Sequence, residues 1–233
     1  MKDPIGQAIL DFARTGKNKD IIVKSDICDD DVIPSSYLFR SFEEMPLIEQ
    51  IALKKCTGNV LDVGAAAGIH TSYLKEQELD VRCIDISEKS VEYLKSVGHS
   101  AEKTNFFEVE EQKFDTVLML MNGLGIAGSL SNLDLTLLKA KSLLKENGRI
   151  IADSSDIKYL YQDDDGSMLI DLNTEYYGNF KFQMVYDEHI SDWFDWLYVD
   201  FDKLQLVANK IGLSVEKIYE EDNHYLVEIK MAL

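Results

Sequence analysis

The stretch NVLDVGAAAGIH, residues 59–70, constrains the fold more than any other part of the chain. An apolar run, Asn59 to Val63, passes straight into a turn holding two glycines and three alanines, and a helical segment begins at Ile69. A strand that feeds a helix through a turn almost without side chains is half of a βαβ unit. Such a turn also presents backbone N–H groups at the head of the helix, where a ligand can approach closely.

The same alternation continues downstream. Strands are predicted at Asp80–Ile84, near Ala101–Thr104, at Phe114–Leu120 and at Arg149–Ala152, with helices at Ile69–Gln77, Ser87–Val97 and about Asn132–Leu144. Ser87 is the expected N-cap of its helix, and Asn147-Gly148 the expected stop after the next. A helix at Phe201–Ile211, ended by Gly212, leads to strands at Leu213–Tyr219 and His224–Lys230, read as an antiparallel hairpin with an acidic turn. The whole predicts an α/β fold: a doubly wound, Rossmann-like, seven-stranded sheet, mostly parallel with an antiparallel last strand, plus a β-rich insertion. Residues 56–155 and 199–233 form the core of this reading. Residues 1–55 read as an N-terminal helical segment or lid. It comprises an amphipathic helix carrying Ile5, Ile9, Leu10 and Ala13, a loop rich in Asp and Ser closed by Pro34, and a helix from Ser41 to about Lys55. Residues 156–198 read as the insertion, with an acidic turn at Asp163-Asp164-Asp165-Gly166. In it Phe180, Phe182, Met184 and Tyr186 alternate with Lys181, Gln183 and Val185, as in a strand with one buried face.

Composition narrows the partners. A net charge of −18 repels phosphate backbones, so nucleic acid and anionic membranes are disfavoured. No apolar run approaches the roughly 20 residues that span a bilayer. The N-terminal MKDPIGQAILDFARTGK has no signal-peptide core, so a cytoplasmic location is expected. Cys28, Cys56 and Cys83 form no CxxC pair and read as free thiols, with no metal site expected. The Asp29-Asp30-Asp31 and Asp163-Asp164-Asp165 runs read as solvated loops.

Asp85 ends the second core strand, 21 positions after Gly64. A carboxylate there can accept the hydroxyls of a ribose, so turn and acid together suggest a nucleoside-containing ligand. The dinucleotide fingerprint wants glycines at positions one, three and six; here they fall at one and five, with Ala66 at three and Ile69 at six. A nicotinamide-dependent oxidoreductase is therefore the weakest reading. The spacing Asp62-x-Gly64-x-Ala66-x-Gly68 instead resembles motif I of the class I S-adenosylmethionine-dependent methyltransferases, with Ala66 where most members carry the middle glycine. The likeness extends through Asp85-Ile86-Ser87, Asn105-Phe106, Phe114-Asp115-Thr116-Val117, the approach LLKENGRI at 143–150 and the terminal hairpin. MNGLGIAG after the fourth strand resembles a bacterial group of small methyltransferases.

The resemblance implies S-adenosylmethionine as methyl donor and a small-molecule acceptor, with the insertion covering the acceptor site. It implies that Gly64, Ala65, Ala66 and Gly68 face the donor's methionine part, Asp62 its amino group and Asp85 its ribose. Ile86 would cover the adenine, with Asn105 and Phe106 at its edge and face. Met121 lies beside the expected methyl group, and Arg40, after Tyr37, is a candidate partner of the donor's carboxylate. His70 reads as a capping or exposed residue. The catalytic group is not assigned: Asn122, Asp153 and His189 are the candidates, Asp156 a further acid, and His224, at the head of a strand, reads as structural. Tyr176, Tyr177, Trp193 and Trp196 either pack the insertion or hold a cationic or flat substrate. A non-catalytic donor-binding module of the same fold and a methyltransferase acting on protein or RNA stay as alternatives. The oligomeric state is open, a dimer included.

Overall fold

The computed structural model describes residues 2–110, 112–162 and 175–232, so the acidic run at 163–166 lies outside the described residues. The chain opens with α1 (Pro4–Thr15), β1 (Asp20–Ser25), β2 (Asp31–Pro34) and α2 (Leu47–Lys55). Then come β3 (Asn59–Val63), α3 (Ile69–Glu76), β4 (Asp80–Asp85), α4 (Glu88–Ser96), β5 (Ser100–Lys103) and β6 (Phe114–Met119). They are followed by α5 (Leu133–Ser142), β7 (Leu144–Ser155), β8 (Asn179–Tyr186), β9 (His189–Ile190) and β10 (Phe194–Leu197). α6 (Phe201–Lys210), β11 (Leu213–Glu221) and β12 (His224–Met231) complete the chain.

Seven strands form one sheet in the order β5-β4-β3-β6-β7-β12-β11. Neighbours from β5 to β7 pair in parallel, whereas β12 runs antiparallel to both β7 and β11. The expected sheet is therefore present, last strand included. Its central strands read as unbroken apolar runs because both faces are covered: Val60, Leu61, Val117, Leu118, Ile150 and Ile151 are all fully buried. Strand order reverses between β3 and β6, and in open α/β sheets a crevice forms at the carboxyl ends of such strands.

Three local readings need correction. The loop expected between the first two helices is instead β1 and β2, which pair antiparallel with each other. The second helix does not start at Ser41: a short 3-10 turn, Phe42–Glu44, comes first, and Pro46 stands at the N-cap of α2. Asn147-Gly148 does not stop a helix, because α5 ends at Ser142 and these residues lie in β7 where its pairing with β6 slips. Gly148 is required there, since a Cβ would meet the Phe114 carbonyl oxygen at 2.8 Å.

The strands of the insertion do not stand alone. β8 pairs antiparallel with β1, with β10 and with β9, giving a second sheet of order β10-β8-β1-β2. Two segments about 160 residues apart in sequence thus make one sheet, joined at Ile22↔Val185 and Val23↔Met184. The alternation predicted for β8 holds at its ends: Phe180 and Tyr186 are buried, while Lys181 is exposed. α1 pins this sheet to the core through Ala8, Ile9, Ile21, Leu38, Ala67 and Tyr186. Burying a side chain such as Ile9 contributes about 1.5–3 kcal/mol. Gly6 lets the head of α1 approach α4, for a Cβ there would overlap Ser87 and Lys89. Among the described residues no helix is long and apolar enough to cross a membrane.

Candidate active site

The side-chain-poor turn lies at the carboxyl end of β3, as its sequence requires. Gly64 and Gly68 take the left-handed conformation with φ +74° and +77°. Gly64 is exposed, with nothing within 4 Å of where a Cβ would be, so its backbone faces open space. Gly68 sits at the N-cap of α3 and must lack a side chain, because a Cβ would meet Leu94 at 2.5 Å. Ala66 is also left-handed, at φ +48°. Its methyl packs toward the α1 cluster, and its N–H donates to Asp85 Oδ2 at 2.9 Å. Asp85 Oδ1 accepts from the Ser87 N–H at 2.8 Å. Burial pushes the Asp85 carboxyl up, against the pull of these two N–H groups. Asp3 stands beside it, accepting from Ser87 Oγ at 2.5 Å.

Asp62 is buried and its Oδ2 accepts from Thr71 Oγ1 at 2.6 Å, tying β3 to α3; burial pushes its carboxyl up as well. At the end of β4, Ile86 is 63% exposed, unusual for an isoleucine beside a crevice. Asn105 turns its side chain back on the Phe107 N–H at 3.0 Å. That turn sends Phe106 into the core and leaves Phe107 43% exposed. Two adjacent phenylalanines gave no signal for which would face out.

Arg40, Glu49 and His70 form a buried chain of charges. The Arg40 guanidinium meets both Glu49 oxygens, at 2.6 and 2.5 Å, and His70 Nε2 meets Glu49 Oε2 at 2.6 Å. The Arg40 guanidinium also lies over the Tyr37 ring at 3.8 Å and touches Met121 Sδ at 3.8 Å. Burial opposes ionisation of Glu49, but His70 and Arg40 outweigh it and hold the carboxyl below the ordinary glutamate range. The exposed or capping histidine expected at His70 is not found: His70, like Arg40, is buried and paired. Arg40 Nε is buried and has no partner among the described residues.

After β6 the chain turns through Met121 and Asn122, both left-handed at φ +64° and +56°. Two consecutive residues so placed are strained, and such strain gathers at functional sites. Asp153, fully buried in β7, fixes this turn by accepting from the Gly123 N–H at 2.9 Å. Its other oxygen meets His224 Nε2 at 2.8 Å, and Asn122 Oδ1 accepts from Ser155 Oγ at 2.8 Å. The β12–β7 register sets His224 opposite Ser155 and Leu226 opposite Asp153, so His224 reaches Asp153 diagonally on one face. Of the catalytic candidates, Asn122 and Asp153 come together here, with His224 as their neighbour. His189 lies in β9, and Asp156 is occupied by Tyr177 Oη and Lys158.

Between this polar floor and the inner face of the second sheet lies a cavity of about 530 Å³. Phe180, Phe182, Phe194, Trp196 and Tyr198 line its roof, and Met121, Asn122, Asp153, Ser155 and His224 line its floor. Tyr37 and Glu49 close one side, and Asp29 and Asp31 also face it. Of the four aromatic residues singled out in the sequence, only Trp196 lines the cavity. Tyr176 and Tyr177 are spent on packing: Tyr176 donates its hydroxyl to Asp200 Oδ2 at 2.6 Å, Tyr177 shares its one proton between Asp156 Oδ1 at 3.0 Å and Asp200 Oδ2 at 3.1 Å, and Trp193 is 49% exposed.

A family model described as a methyltransferase domain matches residues 54–199. An S-adenosylmethionine-dependent methyltransferase from Bacteroides fragilis, solved in complex with S-adenosyl-L-homocysteine, is 44% identical. The alignment covers 100% of this chain and 96% of that one, with a TM-score of 0.93. The CcbJ methyltransferase from Streptomyces caelestis, 17% identical with a TM-score of 0.60, covers 82% of this chain and 95% of its own. The PH0226 protein from Pyrococcus horikoshii, 18% identical with a TM-score of 0.56, covers 79% and 88%. The last two share the fold alone. No match is found among the curated proteins.

Proposed function

The chain belongs to the S-adenosylmethionine-dependent methyltransferases, and from that premise we propose that it methylates a small molecule held in the cavity between its two sheets. The residues at the crevice fit the donor. The open face at Gly64 admits a close backbone approach, and the exposed Ile86 and Phe107 offer apolar cover for a base. Asp85 keeps lone pairs for ribose hydroxyls, and the unpartnered Arg40 Nε is the donor group left for a carboxylate. Asp62, Ala65, Ala66 and Gly68 order the turn that faces the methionine part, while Asn105 positions Phe107 for the adenine.

When bound, S-adenosylmethionine supplies an already activated methyl carbon, so alignment and proton removal are what the protein must add. The Met121–Asn122 turn, locked by Asp153, holds the wall between the donor crevice and the cavity. The roof excludes water and aligns the acceptor over that wall. The observation that carries the small-molecule reading is the cavity itself: about 530 Å³, within the range of small-ligand sites and roofed by a sheet that a folded macromolecule would have to displace. The same reading makes residues 1–55 and 156–198 two halves of one acceptor lid, and with a net charge of −18 it leaves nucleic acid an unsuitable partner. The free thiols Cys28, Cys56 and Cys83 suit a reducing compartment such as the cytoplasm.

The test uses methyl-labelled S-adenosylmethionine with a bacterial extract split by ultrafiltration. Label entering the low-molecular-weight filtrate supports the reading. Label confined to retained protein or RNA contradicts it.

A further inference from the structure

We propose that the acceptor is an amine carried on an apolar or aromatic body, bound as its ammonium ion and deprotonated by His224. This rests on the cavity being the acceptor site and adds its chemical class.

Three observations converge. First, the described lining includes the carboxylates Asp29, Asp31, Glu49 and Asp153 but neither lysine nor arginine. Glu49 is balanced by Arg40 and His70, whereas Asp29 and Asp31 make no salt bridge among the described residues. The chamber is therefore negative, on a chain whose net charge of −18 already concentrates cations at its surface. Second, the roof is aromatic. Phe182 packs against Phe180, Phe194 and Tyr198 with ring centroids 5.7, 6.4 and 6.2 Å apart, and Trp196 lies 6.2 Å from Phe194. Such a wall accepts a cation against its π faces and an apolar body between its rings. A carboxylate acceptor would meet the unbalanced Asp29 and Asp31 there, and a phenolate would find neither lysine nor arginine in the described lining.

Third, the floor holds a proton acceptor of the right kind. His224 gives Nε2 to Asp153, which leaves Nδ1 without a hydrogen bond among the described residues. With Nε2–H donated to the carboxylate, the Nδ1 lone pair is free to take a proton. The ammonium gives one N–H proton to Nδ1, and Asp153 steadies the resulting imidazolium. The freed nitrogen lone pair forms a C–N bond with the methyl carbon as the C–S bond breaks, its electron pair passing to sulfur. The products are a methylated ammonium ion, a neutral thioether and a protonated His224, which returns its proton to water.

The experiment compares three probes of one shape, phenethylamine, phenethyl alcohol and phenylacetate, by calorimetry on the full chain saturated with S-adenosylhomocysteine. The amine is expected to bind at least about tenfold more tightly than either of the others. Equal affinities, a preference for alcohol or carboxylate, or no amine binding to protein that does bind S-adenosylhomocysteine overturns the proposal. Failure to bind S-adenosylhomocysteine would instead remove the donor reading beneath it. His224→Gln keeps a side chain able to donate to Asp153 but unable to take the proton. It is expected to lower kcat for an amine acceptor by roughly 10²–10⁴-fold with amine affinity within about twofold of the parent. An unchanged kcat in a variant with parental Tm removes His224 from the step.

Discussion

Ala66 is held at φ +48° with its methyl packed toward the α1 cluster, so the departure from the usual middle glycine joins the donor turn to the N-terminal segment. The left-handed conformation costs an L residue roughly 1–2 kcal/mol, and burying one methyl group contributes about 0.8 kcal/mol. Ala66→Gly is therefore expected to shift stability by less than about 1 kcal/mol. Ala66→Val adds β-branching to the same conformation and should cost about 2 kcal/mol or more, a fall in Tm of ~4–8 °C by calorimetric scanning. Glu49 makes a second residue-scale case. Removing its charge strands Arg40 in a buried site, so Glu49→Gln should destabilise by about 3–5 kcal/mol. Because the folded pKa of Glu49 is lowered, its contribution is complete above the unfolded value of about 4.3 and is lost as pH falls through the folded value. Urea titrations of parent and variant should therefore diverge most at neutral pH and converge in acid. A gap that widens on acidification would contradict the arrangement.

The roof meets the core where β10 crosses the turn after β6, and the contact depends on Gly125: a Cβ there would overlap the indole of Trp196. Gly125→Val should push Trp196 and β10 off the cavity. Steady-state kinetics are expected to show a raised acceptor KM, with affinity for S-adenosylhomocysteine within about twofold of the parent. Loss of both together would mean that the turn serves the donor site instead. At this scale the sequence was readable where structure is local. β3, α3, β4, α4 and α6 carry their own periodicity, caps and stops, and they lie where those signals put them. DIIVKS and DVIP carry β-branched residues too and pair with each other, but the strand that joins them to a larger sheet, β8, meets β1 from about 160 residues away, and no local pattern announces that pairing. The His224–Asp153 contact was hidden for the same reason, being set by the β12–β7 register. Which of Phe106 and Phe107 faces the core is decided by a single 3-10 turn that the sequence does not announce.

The molecule as a whole is a seven-stranded sheet roofed by a smaller one, one part of which precedes the core in sequence while the other is inserted within it. With the proposed acceptor site under the smaller sheet, changes in that sheet are expected to alter acceptor choice without altering donor binding. The acidic surface belongs to this scale as well: it disfavours phosphate backbones and favours cationic ligands. Everything rests on the crevice at the ends of β3 and β4 holding the methyl donor. Titration calorimetry of S-adenosylhomocysteine into the protein, with Asp85→Ala alongside, tests this most directly. One site per chain with micromolar or tighter affinity is expected, weakened by about tenfold or more in the variant. No heat of binding at high micromolar ligand, or equal affinity in the two proteins, would contradict it.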